Sequence, residues 1–188
     1  MKPANDSNRI IKGIRKDLVL RLMKVQILFM ILGKYRSPLK AYGLLKKLMT
    51  LRRKLHGIDR PNRILKNGRR YYISVHIPGW PSGNFRRFIQ TELTRILPAG
   101  NAQPTPQLVI FAITRKCPLQ CEHCFEWQNL NSTEVLSLGD LKGIVDKLYD
   151  LGVSIIEISG GEPLSRFSDL CQLIRSNRDR FDFWILTS

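Results

Sequence analysis

The residues with the clearest chemical capacity are three cysteines within a span of eight: Cys117, Cys121 and Cys124. Thiolates are the soft ligands that zinc ions and iron-sulfur clusters select. Three thiols on one short loop can turn inward around a single metal centre and leave one metal position open. The spacing therefore predicts a metal site on this loop.

Two apolar runs must position this loop. Leu108–Thr114 precedes the first cysteine and is a continuous apolar run, as is typical of a buried parallel strand. Val153–Ile158 is the second stretch, a predicted strand that is mostly apolar, and it leads into a turn. Glycines suit a turn that a ligand approaches, because they tolerate positive φ and lack a Cβ atom. The turn consists of Gly160, Gly161, Glu162 and Pro163.

The cysteine spacing, with a Gly-Gly-Glu-Pro turn about 40 residues later, resembles the radical S-adenosylmethionine (radical SAM) family. In that family the three cysteines ligate three irons of a 4Fe-4S cluster, and SAM chelates the fourth iron through its amino and carboxylate groups. The resemblance gives Cys117, Cys121 and Cys124 those ligand roles. It gives the backbone of Gly160–Pro163 contact with the methionine amino group of SAM.

The resemblance also implies the reaction. The reduced cluster cleaves SAM to methionine and a 5'-deoxyadenosyl radical, which abstracts hydrogen from a substrate. An electron donor such as flavodoxin or ferredoxin is implied as a partner, and the substrate is not readable from the sequence. His123 stands where the family usually has an aromatic residue near the adenine, so the resemblance gives it a place beside SAM.

A structural zinc site is the alternative for the three cysteines, with His123 or Cys171 as the fourth ligand. Zinc ligands usually come as two close pairs, and this triplet does not fit that habit. Cys171 lies in a predicted helix, Phe167–Asn177, where a lone cysteine is typically a small buried apolar residue. We therefore expect an iron-sulfur cluster.

Strands and helices alternate after residue 107, which predicts an α/β fold with a parallel sheet and ligands at the carboxyl ends of its strands. We predict a helix over Ser137–Leu151, with Ser137 as N-cap, and a third strand over Phe181–Thr187. The resemblance covers residues 108–188 and implies the N-terminal half of a partial (β/α) barrel. About half of such a barrel is expected here, so we expect a fragment truncated after the third strand.

Charge divides the chain. Residues 1–107 carry 23 Lys and Arg against 4 Asp and Glu, a net charge of +19, whereas residues 108–188 carry 8 against 11, a net charge of −3. This difference predicts a basic, mainly helical N-terminal region at 1–107 and a radical SAM core at 108–188. The basic region suits an anionic partner, either RNA or a membrane surface. A non-catalytic metal-binding or nucleic-acid- or membrane-binding protein is the alternative function.

Two amphipathic helices are predicted in the basic region. The first, Ile10–Leu32, has apolar residues at steps of three and four, and it suits docking on its own domain or lying on an anionic membrane surface. The second starts at Ser37 and Pro38 and ends at Gly57, with cations near its C-terminus.

A β-hairpin is predicted over Ile64–Ile77, because Asn67-Gly68 is a strong turn signal. His76 is read as a structural residue of its second strand. A helix over Asn84–Leu97 and a linker over Pro98–Pro106 complete the region.

Location follows from the N-terminus and the cysteines. Met1–Ser7 is polar, so no cleavable signal peptide is evident. Three crowded cysteines suit a reducing compartment better than a disulfide framework. We expect a cytoplasmic protein, either free or bound peripherally at the membrane surface.

Overall fold

A computed structural model describes residues 8–56, 61–97 and 105–188. The chain has a mixed α/β structure and divides into two units, Met1–Pro104 and Thr105–Ser188. Gly57, predicted to end the second helix, and most of the predicted linker, residues 98–104, lie outside the described residues.

The first unit combines helices with a small antiparallel sheet. Within residues 8–56 and 61–97, three strands pair in the order β1-β2-β3. Met23, Ile27 and Ile31 are buried on one side of the first helix and share a core with residues of the other two helices. The elements are β1 (Asn8–Ile11), α1 (Gly13–Tyr35), α2 (Pro38–His56), β2 (Ile64–Asn67), β3 (Arg70–Tyr72) and α3 (Gly83–Ile96).

The predicted hairpin is present, but its second strand is shorter than expected. Gly68 turns at φ +56° between β2 and β3, as the Asn-Gly signal predicts. The strand ends at Tyr72, and His76 lies in a following turn, so its assignment to an alternating strand was wrong. Besides its pairing in the hairpin, Tyr71 forms a bridge with Trp80, and the two residues exchange two backbone hydrogen bonds.

Helix α1 starts three residues later than its apolar periodicity suggests. Asn8–Ile11 pairs with β2, so these residues satisfy their backbone groups in the sheet rather than in a first helical turn. A strand at this position was missed, because an apolar pair such as Ile10-Ile11 fits either structure. No helix in the described ranges is long and apolar enough to cross a membrane.

The second unit alternates strands and helices as predicted. Within residues 105–188, three strands form a parallel sheet in the order β4-β5-β6. Helices cover one face, where Ile113, Ile158 and Leu141 are almost fully buried, while Ile110 on β4 is 62% exposed. The elements are β4 (Leu108–Thr114), α4 (Leu138–Asp150), β5 (Ile155–Gly160), a 3₁₀ turn (Pro163–Arg166), α5 (Phe167–Asn177) and β6 (Asp182–Ile185).

Local signals located the helices of this unit well. Ser137 caps α4, and α5 has the predicted bounds. The third strand is shorter than predicted, since Phe181 packs in the core before the pairing starts at Asp182. The sheet presents the carboxyl ends of β4 and β5 side by side, and both sequence motifs follow there.

Candidate functional site

The two motifs lie next to each other because β4 and β5 are neighbouring parallel strands. Thr114, the last residue of β4, is in register with Gly160, the last residue of β5. The cysteine loop begins three residues after Thr114, and the Gly-Gly-Glu-Pro turn starts at Gly160 itself. Parallel pairing thus places the two segments at one edge of the sheet.

Backbone hydrogen bonds join the turn to the base of the cysteine loop. The N–H of Gly161 donates to the carbonyl oxygen of Thr114 at 2.8 Å, and the N–H of Glu162 donates to that of Lys116 at 2.7 Å. Lys116 immediately precedes Cys117. The Gly-Gly-Glu-Pro turn therefore fixes the position at which the cysteine loop leaves the sheet.

Both glycines are needed for this close approach. Gly160 has φ +120°, which side chains with a Cβ atom rarely adopt. A Cβ atom on Gly160 would lie 2.4 Å from the carbonyl oxygen of Thr114, and one on Gly161 would lie 2.3 Å from that of Lys116. Any larger residue would push the two segments apart.

The three cysteines are free thiols on the loop that follows. Cys117 and Cys124 are half-buried and Cys121 is exposed. The N–H of Cys124 donates to the carbonyl oxygen of Cys121 at 3.2 Å, which closes a turn between them. Among the residues that the structure describes, no three His, Cys, Asp or Glu side chains are gathered closely enough to share a metal ion.

The two remaining predicted residues lie apart from a common ligand set. His123 is exposed on the cysteine loop, and Cys171 is half-buried on α5. In the described part of the chain, neither residue completes a group of potential metal ligands with the triplet.

Asn131 anchors the first cysteine, and the sequence analysis did not identify it. Its side-chain oxygen accepts from the N–H of Cys117 at 3.0 Å, and its side-chain nitrogen donates to the carbonyl oxygen of Cys117 at 3.0 Å. Its own N–H donates to the carbonyl oxygen of Arg115 at 2.8 Å. Asn131 has φ +58°, a conformation that asparagine tolerates better than most residues. Its residue type, an asparagine in the segment after the cysteines, was the only sequence feature that could have indicated this role.

Glu134 holds the start of the same loop. Its carboxylate accepts from the hydroxyl of buried Thr114 and, at 3.0 Å, from the N–H of Arg115. Burial by itself raises the pKa of Glu134, but hydrogen bonds from Thr114 and from the N–H groups of Arg115 and Lys116, with the guanidinium of Arg166, outweigh it and lower the pKa. A cleft of ≈ 190 Å³ lies beside these residues and reaches Gly161.

The side chain of Glu162 supports the turn itself. Its carboxylate accepts from the N–H of Leu164 at 3.0 Å, from the hydroxyl of Thr187 at 2.8 Å and from the hydroxyl of Ser188 at 3.0 Å. The Leu164 N–H, and further hydrogen bonds from Thr187 and Ser188, lower the pKa of Glu162 despite its partial burial. The carboxylate therefore ties the turn to the residues that follow the third strand, and Pro163 beside it is buried.

Arg166 connects the turn to β4 from the other side. Its guanidinium donates to the carbonyl oxygen of Ile113 at 2.9 Å and forms an ion pair with Asp169 at 2.6 Å. The side chain of Arg166 is only 16% exposed, so this pair is shielded from solvent. Backbone and side-chain hydrogen bonds therefore fix both motifs at this edge of the sheet.

Residues 107–188 match the family model described as a 4Fe-4S single cluster domain. Among curated proteins, the chain is 36% identical over 75 residues to the PqqA peptide cyclase of Bradyrhizobium diazoefficiens. The aligned segment covers 39% of this chain and 20% of that protein. The chain is 36% identical over 62 residues to the antilisterial bacteriocin subtilosin biosynthesis protein AlbA of Bacillus subtilis, covering 33% of this chain and 14% of that protein.

A third relative is the GTP 3',8-cyclase of Desulforamulus reducens, 38% identical over 58 residues, covering 29% of this chain and 18% of that protein. These relatives are radical SAM family members, so the resemblance inferred from the two motifs is confirmed. The chain spans about a fifth of the length of such relatives or less. No solved structure matches the chain significantly.

Proposed function

We propose that residues 105–188, which resemble the radical SAM family in both of its motifs, hold a 4Fe-4S cluster and S-adenosylmethionine for reductive cleavage of SAM. The observation that carries this proposal is the direct bonding of the Gly-Gly-Glu-Pro turn to the base of the cysteine loop. A cluster-bound SAM must touch both segments at once. Hydrogen bonds from Gly161 and Glu162 to Thr114 and Lys116 hold the two segments at the required proximity.

The donor set fits a 4Fe-4S cluster. Cys117, Cys121 and Cys124 are free, lie on one loop and are partly accessible, so thiolates can reach a cluster as it is inserted. Asn131 and Glu134 fix the start of that loop, which leaves the stretch around Cys121 to adjust around the cluster. In this proposal the three thiolates hold three irons.

A reduced 4Fe-4S cluster held by Cys117, Cys121 and Cys124 would supply the single electron for reductive cleavage of SAM. The chain's own part is to bind and orient SAM. We assign the backbone of Gly160, Gly161, Glu162 and Pro163 to its methionine amino group, and exposed His123 to the neighbourhood of its adenine. The carboxylate of Glu162 is engaged by Leu164 and Thr187, so its role is to shape the turn rather than to contact SAM.

The fold supports the same proposal. Parallel strands β4, β5 and β6, with helices on one face only, have the arrangement expected of the first part of a partial (β/α) barrel. The uncovered face, which includes Ile110, is where such a barrel encloses its ligands. An electron donor such as flavodoxin or ferredoxin is the partner that we propose for this reaction.

The proposal is tested by anaerobic reconstitution of the chain with iron and sulfide, followed by iron and sulfide analysis. The wild-type chain should bind about four irons and four sulfides, and C117A, C121A and C124A should each lose most of them. C171A is the matched control and should bind as the wild type does. Equal iron content in all four variants, or stoichiometric zinc in place of iron, contradicts the proposal.

A further inference from the structure

Helix α1 is apolar on two opposite faces. One face is buried in the core of the first unit through Met23, Ile27 and Ile31, which are at most 2% exposed. The opposite face carries five large apolar side chains that are about half exposed or more. We call these residues the outer stripe: Ile14 (88% exposed), Leu18 (55%), Leu22 (50%), Val25 (47%) and Phe29 (66%).

The spacing of the outer stripe makes it continuous. Successive members are four, four, three and four residues apart, so they follow one line along about four turns of α1. Helices that are apolar all round are normally covered on every side. A continuous apolar line on an exposed helix face marks an interaction surface rather than scattered surface residues.

Cations border the outer stripe. Arg15 and Arg21 are exposed on α1. Arg15 lies three residues before Leu18, and Arg21 lies three residues after Leu18 and four before Val25, so both adjoin the stripe on the helix surface. Within residues 8–56, Asp17 is the only acidic residue, and it pairs with Lys16 at 3.4 Å. The border of the stripe is therefore strongly positive.

The apolar stripe and its positive border together favour one kind of binding partner over the others. A second copy would bring two stretches of net charge +19 together, which opposes association. Nucleic acid would be bound by the cations but would leave the apolar line in water. An anionic lipid surface accepts both, because apolar side chains enter the acyl boundary while Lys and Arg meet the headgroups.

We propose that the outer stripe of α1 lies on an anionic membrane surface and holds the chain there as a peripheral protein. The helix lies in the plane of the interface, with Leu18, Leu22 and Phe29 facing the lipid. Its opposite face stays in the core of the first unit. This inference does not depend on the cluster or on SAM.

Flotation of the full chain with vesicles tests the inference. One set is phosphatidylcholine with about 30 mol % phosphatidylglycerol, and the other is phosphatidylcholine alone. The wild-type chain should float with the anionic vesicles and not with the neutral ones. L18Q/F29Q should bind the anionic vesicles about tenfold more weakly, because two large apolar groups no longer enter the lipid.

The matched control is L151Q/F167Q, which changes a leucine and a phenylalanine of similar exposure (57% and 62%) in the second unit. It should bind as the wild type does. L22Q/V25Q repeats the test at other stripe positions, and circular dichroism checks that every variant is folded.

Three outcomes overturn the inference. The first is wild-type binding by both L18Q/F29Q and L22Q/V25Q, and the second is no binding of the chain to anionic vesicles. The third is self-association of the chain without lipid that L18Q/F29Q abolishes. The last result would assign the stripe to a second copy of the chain.

Discussion

Gly161 lies so close to Lys116 that a Cβ atom on the glycine would be 2.3 Å from the lysine carbonyl oxygen. The residue before the first cysteine and the turn at the end of β5 are therefore in backbone contact. This contact couples the two motifs, which are far apart in sequence.

The first prediction concerns that contact. G161A should destabilise the chain by about 1–3 kcal/mol, because backbone has to move to admit the methyl group. It should also lower SAM binding, since the turn is displaced from the cysteine loop. Urea unfolding and equilibrium dialysis with SAM measure the two effects. G143A is the control, because a Cβ atom at helical Gly143 meets nothing within 4 Å, and alanine favours a helix.

Asn131 gives a second prediction. N131G keeps the backbone at φ +58° but removes both side-chain hydrogen bonds to Cys117, and N131D keeps the acceptor and loses the donor. Amide hydrogen exchange at Cys117 should speed up by about tenfold in N131G and by less in N131D. Iron content after reconstitution should fall in the same order. Wild-type exchange in N131G would show that Asn131 does not anchor the loop.

The third prediction concerns how the stabilisation by Glu134 depends on pH. Its pKa is lowered in the folded chain from the ordinary value of 4.5, so its charge stabilises the fold fully above that value. The stabilisation is lost as the pH falls through the lower, native pKa. The difference in unfolding free energy between the wild type and E134Q should therefore be constant near neutral pH and shrink in acid.

Urea titrations at about pH 7 and about pH 4 and below measure that difference. E122Q, at an exposed position on the cysteine loop, is the control. A difference that grows as the pH falls would mean that the folded state prefers the protonated carboxyl, contrary to the hydrogen bonds from Thr114 and Arg115.

The N-terminus of α4 gives a fourth prediction. The hydroxyl of Ser137 accepts from the N–H of Asp140, and the Asp140 carboxylate accepts from the N–H of Ser137, which forms a capping box. S137A should cost about 1 kcal/mol of unfolding free energy. S176A, in helix α5, removes a hydroxyl that donates to its own helix and should be nearly neutral. Equal stability of the two variants would contradict the capping role.

The parallel half of the fold follows from local sequence signals. Strand β4 and helix α5 have the predicted bounds, and Ser137 caps α4 as expected, because apolar runs and a cap residue are local features. Strand β1 was missed because its pairing with β2 joins residues that are far apart in the chain. His76 was misplaced because β3 ends at Tyr72 and His76 lies in the turn that follows, which sequence alternation does not reveal.

The residues of the candidate site were also predictable only in part. The three cysteines and the glycine turn stand out by residue type and spacing. Asn131 and Glu134 do not. Asn131 bonds the backbone of Cys117, and Glu134 bonds the hydroxyl of Thr114 and the backbone N–H of Arg115. Only the folded chain brings these groups near. The contact between the turn and the loop likewise depends on β4 and β5 being neighbours.

The most direct test of the central claim is electron paramagnetic resonance of the reconstituted, reduced chain, recorded with and without SAM. We expect the signal of a reduced 4Fe-4S cluster and a change in that signal when SAM is added, because the proposed function has SAM bind the iron that the three cysteines leave open. A cluster signal that SAM leaves unaltered, or no cluster at all, would contradict the account.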